Sequence, residues 1–168
     1  MRVKTHALCV CSMRISTPLI GMAYGAYDEH VEMQRKRVRA AYIAEKTAHD
    51  PYASVRIARA ANEIDSAWVL QVANVRELQA HVAKGEKIPL RLRLKVRRDQ
   101  VIASERAIRA IDTMFESSGG RALATGTYLQ RAWRDAHAGR VHAANDPERA
   151  LQMFGAVEFG QKIDPGMY

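Results

Sequence analysis

The sequence predicts an all-α fold: an antiparallel four-helix-type bundle with a short extra helix at its C-terminal end. Three observations lead there. Apolar residues recur at spacings of three, four and seven along most of the chain. Alanine and arginine, both good helix formers, are abundant. The breaks between periodic stretches carry cap and turn residues: Ser16-Thr17-Pro18, Asp50-Pro51, Lys84-Gly85, Gly119-Gly120 and Asn145-Asp146-Pro147. A length of 168 residues suits one domain, and a hydrophobic fraction of 48% is enough to give it a core.

The elements follow in order. Residues 1–15 show no clear period and read as an irregular arm. The first helix is expected to start at Ser16-Thr17-Pro18, a hydroxyl N-cap followed by an early proline, with Ile20, Ala23, Tyr27 and Val31 on its apolar face. The second is expected over about 52–83, where Ile57, Ala61, Ile64, Trp68, Val72, Val75 and Leu78 recur at spacings of three and four. Residues 90–96, LRLRLKV, alternate like a strand, but no second strand of like quality exists to pair with them. The third helix is therefore extended back over about 90–117, with Leu94, Val101, Ile108 and Phe115 repeating every seven residues. A fourth helix is expected over about 129–144 and a shorter fifth from Pro147 through Phe159. The bundle domain is thus bounded at 16–160, and residues 161–168 read as an irregular tail.

Composition narrows the function. A net charge of +8 points to an anionic partner, such as a phosphorylated ligand, or to a solvated arginine-rich surface. No helix-turn-helix, RNA-binding sheet or zinc-finger pattern is present, so nucleic acid is not the expected partner. Cys9 and Cys11, with His6 nearby, lack the further ligands a metal site needs, and no metal is expected. They read as free thiols in a reducing cytoplasm. No apolar run approaches the length of a membrane span. Walker, Rossmann, G-x-S-x-G and H-E-x-x-H patterns are all missing, so the chain does not announce a self-contained enzyme.

One stretch stands out, residues 115–142. Arg131, Asp135, Ala138 and His142 fall on one helical face, which a bundle would be expected to bury, and buried polar groups need partners or a role. His137 lies between them. The Gly119-Gly120 pair before this helix offers backbone N–H groups to an anion, and the following helix N-terminus adds its dipole; a flavin phosphate or pyrophosphate would suit it. A plain glycine C-cap explains the same pair.

The run ESSGG at 116–120, followed by R-x-x-R-D from Arg131 to Asp135, resembles the C-terminal helical domain of the acyl-CoA dehydrogenase superfamily, where Q-x-x-G-G precedes an Arg-Asp pair at the same spacing. TPLIGMAYGAYDEHVE at 17–32 resembles that domain's first helix. In typical members the catalytic glutamate lies nine residues after the arginine of the pair; here that position is Ala143, which cannot act as a base. QRAWRDAHAGRVH at 130–142 resembles instead the oxygenase component of two-component flavin-dependent monooxygenases, including those acting on phenols and steroid-derived phenols. The resemblance implies a reduced flavin (FMNH2 or FADH2), a separate NAD(P)H-dependent flavin reductase, O2, an aromatic or steroid-like substrate, and a homotetramer. It implies that His142 stabilises the flavin hydroperoxide, that Ser118, Gly119 and Gly120 line the flavin, and that Arg134, Asp135 and His137 also bind the cofactor, the first two by organising the loop and the fourth helix. Glu116 departs from the family glutamine. The N-terminal helical and central β domains of the family are absent from this sequence. Two other readings stand beside this one: a non-catalytic oligomerising bundle, and an acyl-CoA dehydrogenase fragment.

Overall fold

The computed structural model describes residues 4–38 and 47–163, with side chains from Met13 onward. Among the described residues it holds five α-helices and no β-strand. They are α1 (Lys4–Lys36), α2 (Pro51–Ala83), α3 (Leu90–Ser118), α4 (Tyr128–Arg140) and α5 (Pro147–Glu158), with 3-10 turns at Thr47–His49, Gly119–Leu123 and Ala143–Asn145.

Side-chain pairings set the directions. On α1 and α2, Ser16 meets Gln71 and Tyr24 meets Asp65; on α2 and α3, Glu63 meets Arg106 and Asn74 meets Asp99. In each pair of helices one number rises as the other falls, so neighbours run antiparallel. α1 and α4 obey the same rule, with Glu29 at Tyr128 and Leu19 at Gly139. The helix α3 sits at the centre and packs against all four others.

Alanines make the close packing possible. Ala23, Ala26, Ala60, Ala67, Ala103, Ala107, Ala110, Ala132 and Ala136 are buried between helices, and Ile20, Ile64, Ile111, Met114 and Leu129 fill the spaces between them. Each fully buried Ile or Leu contributes about 1.5–3 kcal/mol. A smaller apolar cluster, Met13, Leu78, Ile88, Leu92 and Val96, lies towards the other end. Buried polar side chains lie nearby on three helices: Ser16, Gln71, Asn74, Arg97, Asp99 and Gln100. Asp99 accepts from Asn74 Nδ2 at 2.9 Å and from Arg98 Nε at 2.7 Å, so its carboxylate is buried but paired.

Several expectations need correction. The first helix starts at Lys4, not Ser16, so most of the expected arm is helical and Pro18 lies inside α1. Ser16 and Thr17 are not N-caps: both hydroxyls donate back to the Met13 carbonyl, at 3.1 and 2.9 Å. Pro18 is exposed, where its ring meets solvent rather than a neighbouring helix. Cys9 and Cys11 fall in the first turns of α1, with their side chains outside the described residues. On α2 the buried stripe is Ala53, Ala60, Ile64, Ala67, Gln71, Asn74 and Leu78. Trp68 and Val75, assigned to the core, are 45% and 40% exposed. Close helix packing selects the small residues for this stripe rather than the larger apolar ones. The strand-like run 90–96 is helical, and α3 carries Leu94, Val101, Ile108, Ile111 and Met114 buried as its heptad pattern requires. Residues 161–163 are non-helical, and the rest of the tail lies outside the described residues.

Candidate functional site

α4 decides the geometry of the singled-out stretch. It ends at Arg140, four residues earlier than expected, and His142 lies beyond it as the cap of the Ala143–Asn145 turn. The core face of α4 is Leu129, Ala132 and Ala136. Arg131, Ala138 and His142 are exposed and Asp135 is only half-buried, so the polar stripe faces outward rather than into the bundle. A residue pattern at helical spacing cannot reveal which face its neighbours cover. The small alanines took the inner one.

The Gly119-Gly120 corner lies at the start of the loop leading to α4. Gly119 ends α3 with φ of 62°, in the region that favours glycine, and the Arg37 guanidinium would stand 3.3 Å from any Cβ added there. Ser118 points inward. Its hydroxyl donates to the Met114 carbonyl at 2.8 Å and accepts from His30 Nδ1 at 2.9 Å. His30 is buried, and its Nε2 accepts from Gln34. Burial, with Arg37 and Arg56 near, lowers the His30 pKa from 6.5 to about 4, so the ring is neutral and both its nitrogens are used. Ser118 therefore serves the bundle's interior and does not face an external ligand; Gly119 and Gly120 are exposed.

The anion seat expected at the N-terminus of α4 is filled from within. The Glu29 carboxylate accepts from the N–H groups of Tyr128 and Leu129, at 3.2 and 2.6 Å, and Thr127 Oγ1 accepts from Gln130 at 3.2 Å. A carboxylate from α1 thus takes the position a phosphate would occupy. Glu29 was not legible as a cap, because its partner lies 99 residues away in sequence.

Arg134 and Asp135 pair with each other at 3.2 Å on the exposed face. His137 Nδ1 donates to the Trp133 carbonyl at 2.8 Å, and Nε2 stands 3.4 Å from Asp112. Its ring lies 4.6 Å from Trp133, which stacks on Phe115 at 4.6 Å and donates to Asp112 at 2.9 Å. His137 is thus held in a packed α3–α4 contact.

His142 is placed differently. Its Nδ1 accepts from the Ala144 N–H at 3.1 Å, which puts the neutral ring's proton on Nε2. Nε2 meets no protein partner among the described residues. The ring borders a recess of about 310 Å³ that Ser104, Ile108, Arg140 and Ala143 also line. Ala143 offers no base there. Behind the recess lies a buried network. Asn145 Oδ1 accepts from Gln100 Nε2 at 2.7 Å and from the Ser104 hydroxyl at 3.1 Å. Asn145 Nδ2 donates to the Gly139 carbonyl at 2.7 Å, and Arg97 donates to Gln100 and to the Ala144 carbonyl. Arg97 is buried, and desolvation lowers its pKa. These residues were missed, although Arg97, Gln100 and Ser104 do break the apolar register of α3.

The structure therefore does not gather the predicted residues. The glycine corner precedes α4 and His142 follows it. At 1.5 Å per residue the helix between them separates Tyr128 from His142 by about 20 Å.

Among the described residues no helix is long and apolar enough to cross a membrane. Comparison with known proteins gives the family. Residues 13–147 match the model described as acyl-CoA dehydrogenase, C-terminal domain. The chain is 61% identical over 153 residues to the oxygenase subunit HsaA of a flavin-dependent monooxygenase from Rhodococcus jostii, covering 91% of this chain and 40% of that protein. The corresponding HsaA subunit of Mycobacterium tuberculosis is 57% identical over 152 residues, covering 90% of this chain and 38% of that protein. The crystal structure of 3-HSA hydroxylase from Rhodococcus sp. RHA1 superposes with a TM-score of 0.89 at 58% identity, over 96% of this chain and 42% of that one. The chain thus spans about 40% of the length of the relatives it matches. It belongs to the acyl-CoA dehydrogenase C-terminal domain family.

Proposed function

We propose that this chain is the C-terminal bundle of the oxygenase component of a two-component flavin-dependent monooxygenase. In this reading it works with reduced flavin, FMNH2 or FADH2, delivered by a separate NAD(P)H-dependent reductase. It acts with O2 on an aromatic or steroid-like substrate within a homotetramer. The bundle domain occupies residues 16–160, extended at its start by the helical turns from Lys4. The kinship with HsaA oxygenase subunits supports the class.

The observation that carries the reading within this chain is His142. Its Nδ1 is occupied by the Ala144 amide, and its Nε2–H is free beside an open recess. A bound reduced flavin supplies the oxygen-activating chemistry. His142 supplies a hydrogen-bond donor at its reactive edge, and such a fixed donor is worth more where water is excluded. Ala138 and Ala143 add little bulk beside it. Ala143 argues against acyl-CoA dehydrogenation, since no carboxylate stands where that family's base would be. The exposed Gly119-Gly120 backbone remains able to approach a flavin's distal part, but Glu29 leaves no phosphate seat on α4.

The test supplies the remaining domains and the reductase, then measures hydroxylated product per O2 consumed. His142→Ala is expected to lower that ratio at least tenfold and to divert O2 to hydrogen peroxide. An unchanged ratio overturns the role given to His142. Failure of the assembled protein to bind reduced flavin overturns the reading as a whole and favours the non-catalytic bundle.

A further inference from the structure

We infer that Asn145 is the positioning residue of His142. It is buried at 4% exposure within a stretch, 140–146, that otherwise faces solvent or lies half-buried. Its side chain ties the turn to two side chains of α3 and to one carbonyl of α4, and its backbone N–H adds a bond within the turn. Through Oδ1 it holds to α3, where Gln100 Nε2 donates at 2.7 Å and the Ser104 hydroxyl shares its one proton between Oδ1 and the Gln100 carbonyl, each at 3.1 Å. Through Nδ2 it holds the last carbonyl but one of α4, that of Gly139. Its own N–H donates to the His142 carbonyl at 2.7 Å. The His142 N–H in turn donates to the Gly139 carbonyl at 3.3 Å, so histidine and asparagine share one anchor.

The consequence falls on the ring. The Ala144 amide can reach Nδ1 only while the 143–145 turn is held. With Nδ1 so occupied, the proton sits on Nε2 of a histidine that borders the recess. Asn145 therefore selects the nitrogen that donates and fixes where it stands; it also borders the recess, but its side-chain polar atoms are committed to Gln100, Ser104 and the Gly139 carbonyl. An amide is the side chain this task requires: one end must accept from two α3 donors and the other must donate to a carbonyl. Asp would set an oxygen against the Gly139 carbonyl, and Leu would leave the Gln100 amide without its acceptor in a buried place. The inference takes its functional meaning from the reading of His142 above, but its geometry does not depend on that reading.

The experiment is amide hydrogen exchange on the 168-residue chain without flavin, read at Ala144. Asn145→Ala is expected to speed exchange at Ala144 at least tenfold, while core amides such as Ile111 keep their protection. His142→Ala removes the acceptor directly and should do the same. The double variant should exchange at Ala144 no more than twofold faster than His142→Ala alone, because the asparagine acts through the ring. If Asn145→Ala leaves Ala144 at the wild-type rate, or speeds it equally in both backgrounds, the inference is wrong. Ser104→Ala removes one donor to Oδ1, and it should give the same pattern at smaller size; it decides the matter if Asn145→Ala fails to fold. Reduced-flavin binding by the assembled protein is measured separately. A loss of the flavin reading with the exchange pattern intact leaves Asn145 a positioning residue for a different ligand.

Discussion

The chain places two histidines beside turns, His30 against the Gly119 corner and His142 beyond the end of α4, and treats them in opposite ways. His30 is buried, neutral and bonded at both nitrogens, to Ser118 and Gln34. His142 is exposed, bonded at one nitrogen and free at the other. His30 is held across two helices, by Ser118 88 residues away, and His142 by an amide two residues on. The difference lies in the second nitrogen: where the fold consumes it the histidine is structural, and where the fold leaves it open the ring can meet a ligand. The same contrast separates the two ends of α4. The N-terminal end spends its amides on Glu29 and Thr127, while the C-terminal end opens into a recess.

The contrast can be broken first at His30. His30→Ala removes a buried ring and strands the Ser118 hydroxyl, so chemical denaturation should show a loss of about 2–4 kcal/mol. A loss below 1 kcal/mol would mean the corner is not the structural one. Next comes pH. The folded His30 pKa, about 4, lies below the unfolded value of 6.5, so the unfolded chain binds more protons between them. Stability from this group is complete above 6.5 and is lost as pH falls towards 4. The fall is on the order of 2 kcal/mol once partial solvent screening is allowed for. Thermal melts in His30→Gln should lose this component of the slope; an identical slope in wild type and variant would remove the assignment.

A smaller effect is expected at Glu29. Glu29→Ala uncaps two amides of α4 and should cost about 1–2 kcal/mol, with faster exchange at Leu129. Unchanged exchange there would reopen the α4 N-terminus as an anion seat. Smallest is His142→Ala, which removes only an exposed turn cap and should change global stability by less than about 1 kcal/mol in the same denaturation experiment. A larger loss would place His142 among the structural histidines.

Much of the fold was legible. The heptad Leu94, Val101, Ile108 and Phe115 located α3, Asp50-Pro51 and Asp146-Pro147 marked real N-termini, and Ser118-Gly119 marked a real stop. The site was legible only in part. His142 could be named from the resemblance of its segment, but Asn145, Gln100 and Glu29 could not, since their roles depend on partners 45, 45 and 99 residues away. The inward turn of Ser118 was hidden for the same reason: its partner, His30, is on another helix.

The amino-acid sequence by itself determined the helices, their order and the family, because periodicity, caps and local motifs act over a few residues of chain. It also fixed alanine at position 143, a side chain that cannot act as a base. Only the tertiary structure decided which face of each helix is inside, which polar groups cap one another, and which histidine keeps a free nitrogen. Burial and hydrogen bonding between helices depend on what packs across the gap. Here small alanines let the helices approach, which turned the polar stripe of α4 outward and left His142 at the rim of a recess.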